Sequence, residues 1–223
     1  EPGGGRRVSL TDPNGFVVEV VYGIATDPRS HPGSLPLNLG TRVEREGTMK
    51  RTKPGPSRIQ RLGHLAINTP DVDETFAWYQ HHFGLLKSDV VALGNMEFVQ
   101  FCRCDRGPAA TDHHSLLIAR ARSSHPSLNH AAWEVCDLDD VWLGHEALAA
   151  GGYPHHWGIG RHTLGSQIFD YWRDPWGHIH EHFTDGDLMD AVTPAGVQGP
   201  DGAGSQWGPQ MPPDFGQPLD EPG

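Results

Sequence analysis

Two stretches of the chain share one pattern of apolar and polar positions. Residues 62–66 align with residues 128–132, and the alignment continues without a gap into an acidic turn in each copy. Each copy starts as a short apolar strand, and after the turn the apolar positions take helical spacing. The pattern predicts helices over residues 75–83 and 141–150, with capping aspartates before them and glycines after them.

Short strand patterns separated by turn residues follow each predicted helix. In the first copy they cover residues 96–104 and 115–119, and in the second copy they cover residues 166–172 and 178–183. Each copy is therefore a βαβββ unit of roughly 60 residues. The predicted fold class is α+β, in which paired βαβββ modules curl their sheets into one half-open β-barrel.

Two histidines occupy the same position of the two repeated first strands, and a glutamate lies on the last strand of the second copy. These residues are His64, His130 and Glu181, and pairing of the two units would bring them together inside the barrel. Two imidazoles and one carboxylate on one side of a cation form a facial triad with open positions opposite, which suits non-haem Fe(II) and oxygen chemistry. The sequence therefore predicts a mononuclear Fe(II) site, and Mn(II) fits the same ligands.

A second alignment extends the repeat toward the amino terminus. Residues 12–19 match residues 174–181, with Asp-Pro and Gly at the same places and glutamate at the end of both. We therefore expect residues 1–23 to be the remnant of an N-terminal βαβββ domain, in a chain that is a fragment of a longer protein. Glu19 in this remnant is expected to be a structural vestige and not part of a second metal site.

The other domain boundaries follow from composition and from the repeat. Residues 24–57 are rich in Pro, Gly and Arg, which predicts an interdomain linker with little regular structure. Residues 58–187 form the predicted metal-binding domain, made of modules 58–122 and 126–187.

Residues 188–223 form a Gly/Pro-rich acidic C-terminal tail, most of which is expected to be extended or disordered. Trp207 is the one tail residue that is expected to dock on the core. We expect the tail to close over the mouth of the barrel with Trp207 as its anchor.

Composition narrows the classes of partner. A net charge of −11 argues against a nucleic-acid partner, because phosphates require a basic surface. The sequence has no apolar run of the length that a membrane span requires, and its first residues lack the features of a signal peptide. No membrane partner is therefore expected, and the cytoplasm is the expected compartment.

The three cysteines lack metal-ribbon or disulfide spacing and are expected to be reduced.

Five short motifs, followed by Glu181, carry a resemblance to a known family. They are Leu62-Gly63-His64, Asp112-His113-His114-Ser115-Leu116, Leu128-Asn129-His130, Gly160-Arg161-His162-Thr163 and Phe169-Asp170-Tyr171. In this combination, residues 61–187 resemble the C-terminal catalytic domain of type I extradiol catechol dioxygenases, in the vicinal oxygen chelate superfamily.

The resemblance implies extradiol ring cleavage at the predicted metal site. In that reaction O2 opens the ring of a catechol at one Fe(II) ion and gives a 2-hydroxymuconic semialdehyde-type product. His64, His130 and Glu181 would hold the ion, and a catechol and O2 would be the partners of the site. The resemblance also implies a homo-oligomer when the protein is full length.

The same resemblance implies three catalytic residues around the metal. His114, at the start of a predicted strand, would be the acid/base residue, and His113 beside it is expected to be structural. His162, in a predicted turn, and Tyr171 would hydrogen-bond the substrate and oxygen intermediates.

Two other functions stay open at this point. A glyoxalase-like metal-dependent isomerase or lyase of the same fold usually takes a second carboxylate ligand from the last strand of the first repeat. Here that strand, residues 113–119, contains no Glu or Gln, so three protein ligands favour a dioxygenase. A non-catalytic small-molecule-binding protein of the same fold should have lost ligands, whereas all three are present.

Overall fold

The computed structural model describes residues 3–25 and 35–217. An N-terminal hairpin contains β1 (Arg6–Thr11) and β2 (Val17–Tyr22). The first module contains β3 (Ile59–Thr69), α1 (Val72–Phe83), β4 (Leu86–Leu93), β5 (Met96–Arg103), β6 (Thr111–Asp112) and β7 (Leu116–Arg120). The second module contains β8 (Ser127–Val135), α2 (Leu138–Ala150), β9 (His155–His162), β10 (Ile168–Arg173) and β11 (Ile179–Thr184). The tail adds β12 (Leu188–Met189), β13 (Gly196–Gln198), a short 3-10 helix (Pro200–Ala203) and β14 (Ser205–Trp207).

Ten strands form one continuous sheet in the order β13-β4-β5-β7-β3-β8-β11-β10-β9-β14. The first strands of the two modules, β3 and β8, pair antiparallel at the centre, and each pairs parallel with the last strand of its own module. The strand order of the first module is therefore repeated in reverse in the second module. Within the described residues β4 and β9 do not pair with each other, so the barrel stays half-open and the predicted fold class is confirmed.

Both helices begin three residues earlier than the sequence pattern predicts, because an aspartate before each helix caps its first turn. The Asp71 carboxylate accepts hydrogen bonds from the backbone N–H groups of Asp73 and Glu74. Asp137 caps α2 in the same way through the N–H of Asp140. Residues that the sequence assigned to the acidic turns therefore belong to the helices.

Each module also contains a strand that the sequence pattern did not indicate. These strands are β4, directly after α1, and β9, between α2 and β10. The sequence of β9 is rich in His and Gly, which hides the alternation of apolar and polar positions. His162 is the last residue of β9 and not a turn residue, because Gly160 and Arg161 before it are paired with β10.

The N-terminal hairpin forms its own two-stranded sheet and packs on α1. Phe16 and Val18 pack against the buried cluster that includes Val72 of α1. The Asn14 side-chain amide donates to the Thr75 hydroxyl at 3.0 Å. The hairpin is therefore attached to the first module through both apolar and polar contacts.

The predicted linker is described only in part, since residues 26–34 lie outside the described residues. Residues 35–57 contain one isolated β-bridge, between Leu39 and Arg42, and no named strand or helix. The domain boundaries themselves stay a prediction. Neither described helix has the length and apolar character needed to span a lipid bilayer.

Candidate metal centre and active site

Three adjacent strands bring the predicted metal ligands together. β3 carries His64, β8 carries His130 and β11 carries Glu181. His64 and Glu181 both lie opposite Ala132 of β8, one on each side of that strand. All three side chains are buried inside the half-open barrel, and Glu181 is completely inaccessible.

The ligand atoms of these side chains face one another. His64 Nε2 lies 3.2 Å from His130 Nε2 and 3.1 Å from Glu181 Oε2, and His130 Nε2 lies 3.6 Å from the same carboxylate oxygen. Two atoms bound at right angles to one divalent ion, with bonds of about 2.1 Å, would be about 3 Å apart. The triangle of ligand atoms therefore has the size that a single ion requires.

The carboxylate of this group lacks the hydrogen bonds that a buried charge needs. Both oxygens of Glu181 are buried, and neither accepts a well-aligned hydrogen bond from a described residue. Lone pairs on an imidazole nitrogen and a carboxylate oxygen repel at this separation unless a proton or a cation lies between them. A divalent cation would satisfy the facing atoms of all three side chains at once, so these residues fit a metal ion.

A chain of hydrogen bonds orients His130 from behind. His130 Nδ1 donates to Asn129 Oδ1 at 2.8 Å, which leaves the lone pair on Nε2, the atom that faces Glu181. The Asn129 amide donates to Asn68 at 2.9 Å, and the Asn68 amide donates to the backbone carbonyl of Gly216 in the tail at 2.8 Å. Sequence reasoning gave these supporting residues no role, and the asparagine next to His130 in the Leu-Asn-His motif was the available signal.

The charge states of His130 and Glu181 follow from their burial and from their charged and polar neighbours. Burial lowers the pKa of His130 to about 3, although the nearby Glu181 carboxylate favours the charged form. Burial alone would raise the pKa of Glu181, but the imidazoles of His162 and His64 hold it below its usual range. At neutral pH His130 is therefore neutral and Glu181 is anionic, which are the charge states that metal binding requires.

His114 lies beside the metal group, two residues before β7. Its ring centroid is 4.0 Å from that of His64. His114 Nδ1 lies 3.0 Å from His113 Nδ1, and no described residue forms a hydrogen bond with His114 Nε2. Burial, reinforced by the neighbouring histidines, lowers the pKa of His114, so its imidazole is neutral at neutral pH. A neutral imidazole with one free nitrogen can accept a proton.

His162 and Tyr171 lie together on the strands of the second module. His162 Nε2 and the Tyr171 hydroxyl are 2.8 Å apart, and His162 Nε2 lies 3.5 Å from Glu181 Oε1. Burial and the charge of Glu181 raise the pKa of Tyr171 well above its usual range. The hydroxyl therefore keeps its proton and can donate a hydrogen bond.

One cavity of about 200 Å³ joins these groups. Five of the six predicted site residues line it, namely His64, His114, His130, His162 and Tyr171. The sixth, Glu181, lies within 3.6 Å of His64, His130 and His162. Much of the remaining wall is apolar, and includes Phe101, Leu117, Leu164 and Phe215. The structure thus brings all six residues together, while their roles stay predictions.

The tail reaches this cavity, but not through the residue that the sequence indicated. β13 pairs with β4 and β14 pairs with β9, so the tail connects the two edges of the half-open barrel. Trp207 is 45% exposed, because β14 joins the sheet through its backbone and turns this side chain outward, so the predicted anchor is wrong. Phe215 instead packs against Trp157 and Tyr171, and its ring centroid lies 5.9 Å from that of His130.

A second group of potential metal ligands lies between α2 and β10. His145 Nδ1 is 3.0 Å and His155 Nε2 is 2.8 Å from the carboxylate of Asp170, which is completely buried. The Trp172 indole N–H donates to the same carboxylate. Three donors therefore satisfy Asp170, which accounts for its burial without an ion.

Glu19, the counterpart of Glu181 in the N-terminal hairpin, has no comparable surroundings. Its side chain is 41% exposed and pairs with Arg7 Nη1 at 2.8 Å. Among the described residues it belongs to no group of potential metal ligands.

Comparison with known proteins places this architecture in a family. The model of the Glyoxalase/Bleomycin resistance protein/Dioxygenase superfamily matches residues 61–181, which is more than half of the chain. Metapyrocatechase 2 of Cupriavidus necator is 35% identical over 204 residues, covering 90% of this chain and 60% of that protein. The chain thus spans 60% of the length of this curated relative.

Solved structures share the fold at lower identity. The Mn(II)-bound glyoxalase from Novosphingobium aromaticivorans has a TM-score of 0.69 at 23% identity, covering 98% of this chain and 66% of that one. An extradiol ring-cleaving dioxygenase from B. fuscum has a TM-score of 0.71 at 16% identity, covering 95% of this chain and 57% of that one. At these identities the structures show the fold alone. The family match, which spans both modules, shows that this chain belongs to the Glyoxalase/Bleomycin resistance protein/Dioxygenase superfamily.

Proposed function

We propose that this chain carries the site of an extradiol dioxygenase, in which O2 cleaves the ring of a catechol and gives a 2-hydroxymuconic semialdehyde-type product. His64, His130 and Glu181 would hold one Fe(II) ion. Bound there, Fe(II) would supply electron transfer between the catechol and O2. The 35% identity to metapyrocatechase 2 supports this class of reaction.

The observation that carries the proposal is the residue at the position of a fourth ligand. Glu181 lies opposite Ala132 in the β8–β11 pair, and Leu117 lies opposite Ala66 in the equivalent β3–β7 pair. Leu117 therefore takes the place of a second carboxylate in the first module, and it lines the cavity. Three protein ligands leave room for both catechol oxygens and O2, whereas a fourth would occupy a position that the reaction needs.

The charges of the ligands favour an acidic diol as substrate. Because His130 is neutral and Glu181 is anionic, a divalent ion held here keeps a net positive charge. A catechol that loses one proton reduces this charge, so binding and deprotonation support each other. His114, neutral and open at Nε2, is the candidate acceptor for that proton.

The other cavity residues would position the substrate and exclude water. The Tyr171 hydroxyl remains protonated and can donate to a substrate oxygen, and His162 Nε2 holds that hydroxyl at 2.8 Å. The apolar wall, including Phe101 and Leu164, keeps water away from the reacting ring. Hydrogen bonds and charges act more strongly in such a dry site than in water.

The test is to load the chain with Fe(II) without oxygen and then to add mono- and bicyclic catechols in air. We expect a yellow ring-fission product and equimolar consumption of O2 and catechol. The Glu181→Ala variant is the control and should give neither. A folded, iron-loaded chain that yields no product from any catechol overturns the proposal. Metal-dependent isomerisation without O2 uptake would instead identify the glyoxalase-like activity.

A further inference from the structure

An acidic side chain that sequence reasoning passed over lies behind His114. Asp89 is on β4, and its Oδ2 lies 2.7 Å from His113 Nε2. His113 Nδ1 in turn lies 3.0 Å from His114 Nδ1. The two histidines are buried, so the three side chains form a continuous row of hydrogen bonds from β4 to the cavity.

The first member of this row determines where the protons lie. A carboxylate only accepts hydrogen bonds, so His113 Nε2 must carry a proton. In the neutral imidazole His113 Nδ1 is then an acceptor, and His114 Nδ1 must donate to it. The lone pair of a neutral His114 is therefore left on Nε2, the nitrogen that no described residue engages.

We propose that Asp89 and His113 are positioning residues that hold His114 with its proton on Nδ1 and its acceptor nitrogen toward the substrate. This inference rests on the proposed function, in which His114 accepts a proton from the catechol. It gives His113 a part in the chemistry, where sequence reasoning expected a structural residue.

Close packing keeps this row in a single arrangement. Gly196 of β13 lies opposite Asp89, and a methyl group at Gly196 would lie 2.1 Å from Asp89 Oδ1. A methyl group at Gly165 would lie 3.0 Å from His113 Nδ1. The backbone N–H of His113 also donates to the carbonyl of Asp187 at 2.9 Å. The carboxylate and the ring are thus confined by backbone that can approach closely only because both positions are glycine.

In the step that these residues support, the O–H bond of one catechol hydroxyl breaks and an N–H bond forms at His114 Nε2. His114 becomes an imidazolium, and its Nδ1–H still donates to His113. The Asp89 carboxylate, on the far side of His113, stabilises the positive charge without taking up the proton. A carboxylate that orients a catalytic histidine acts in the same way in other enzymes, and the Asp89 side chain is only 18% exposed.

The tautomer of His114 can be measured directly in the wild-type chain. Two-bond 1H–15N NMR spectra separate protonated from unprotonated ring nitrogens, and the His114 signals are those that disappear in His114→Phe. In the Zn(II)-loaded chain, which is redox-silent, we expect a protonated Nδ1 and an unprotonated Nε2. A neutral His114 protonated on Nε2 overturns the inference. This readout does not depend on turnover, so its failure is distinct from failure of the proposed dioxygenase activity.

The kinetic consequence is tested with Asp89→Asn. The amide can donate to His113 Nε2, which permits the reverse arrangement and puts the His114 proton on Nε2. We expect kcat for a catechol to fall on the order of 10²-fold, with metal content and KM unchanged. Glu97→Gln is the matched control, because Glu97 is a carboxylate of the adjacent strand that accepts hydrogen bonds from Lys87 and Gln100, and it should keep the wild-type kcat.

A double-mutant cycle separates positioning from a general structural role. If Asp89 acts through His114, Asp89→Asn should cause no further loss of kcat in a His114→Phe background. His113→Gln should show the same dependence on His114. Equal losses in both backgrounds would mean that Asp89 and His113 act on the fold and not on His114, and would overturn the inference.

Discussion

Two hairpins of this chain, β1–β2 and β10–β11, have the same turn and different chemistry. In the first copy Asp12 Oδ1 accepts hydrogen bonds from the backbone N–H groups two and four residues later, both at 2.8 Å. In the second copy Asp174 Oδ1 does the same, both at 2.9 Å. Gly15 and Gly177 take φ angles of 89° and 87° in the two turns. The matching sequences therefore encode one turn.

The glutamates that follow these turns differ in their neighbours. Glu19 is partly exposed and pairs with Arg7, whereas Glu181 is fully buried and faces His64 at 3.1 Å. The equivalent position in the first module is occupied by Leu117, which lines the cavity. The strand thus determines where this side chain lies, and only Glu181, of the two glutamates, lies beside the histidines of β3 and β8.

The largest effect should come from removing the glutamate that faces the histidines. We expect Glu181→Ala to abolish tight Fe(II) binding and turnover, because two imidazoles cannot hold a labile divalent ion in competition with water. His64→Ala and His130→Ala should have the same effect for the same reason. Iron analysis of purified, folded variants measures it.

Glu19→Ala is the matched control for this comparison. An exposed ion pair such as Arg7–Glu19 contributes little to stability, so iron content and turnover should stay at the wild-type level. A wild-type iron content in Glu181→Ala, or a loss of iron in Glu19→Ala, would show that the two glutamates do not differ in metal binding as predicted.

The second prediction concerns His114, which lines the cavity and whose ring centroid lies 4.0 Å from that of His64. We expect His114→Phe to keep its iron and to bind catechol without oxygen, while ring cleavage slows by about 10²–10⁴, since only proton transfer is removed. Iron content, anaerobic affinity and kcat are the measurements. Lost iron would make His114 a ligand or a structural residue, and full turnover would leave the acid/base role to His162.

The third prediction concerns a substitution that makes the first module resemble the second at the position equivalent to Glu181. Leu117→Glu puts a carboxylate at the position equivalent to Glu181, where it can become a fourth ligand. We expect the variant to hold its metal more tightly than wild type, and to lose about 10²-fold in kcat because the catechol can no longer take its full binding geometry. Leu117→Gln should show a weaker form of both changes. Unchanged turnover would mean that this position does not face the metal.

The grouping of the candidate metal ligands could be predicted from the sequence because the repeat and the strand period act together. The repeat puts His64 and His130 at equivalent places, and alternation puts them on one face of the sheet. Asp89 could not be predicted, because it lies on β4, a strand that the sequence pattern does not indicate, and its partner is 24 residues away in the sequence. Trp207 and Phe215 are both aromatic residues in Gly/Pro-rich sequence, and only the pairing of β14 with β9 decides which one points outward.

The smallest effect should appear at the tail, which is connected to His130 by hydrogen bonds through Asn68 and Asn129. Phe215 forms part of the cavity wall, and the Gly216 carbonyl accepts the hydrogen bond from Asn68 that ends the chain from His130. We expect Phe215→Ala to raise the KM for a catechol about tenfold, equivalent to ~1.4 kcal/mol of lost binding, with kcat little changed. Deleting residues 204–223 should raise KM at least as much, because it removes the same wall together with the hydrogen bond to Asn68.

The Trp207→Ala variant shows whether KM depends on the tail residue that contacts the cavity or on the tail as a whole. Because this side chain points outward from β14, its loss should leave KM unchanged, although the deletion that includes it does not. Steady-state kinetics on the three variants with one catechol gives the comparison. If Trp207→Ala raises KM as much as Phe215→Ala does, substrate binding depends on the tail as a whole and not on the contact of Phe215 with the cavity. If the deletion itself changes neither KM nor kcat, the tail has no part in substrate binding. The hydrogen bonds from Gly216 through Asn68 and Asn129 to His130 would then make no contribution to activity.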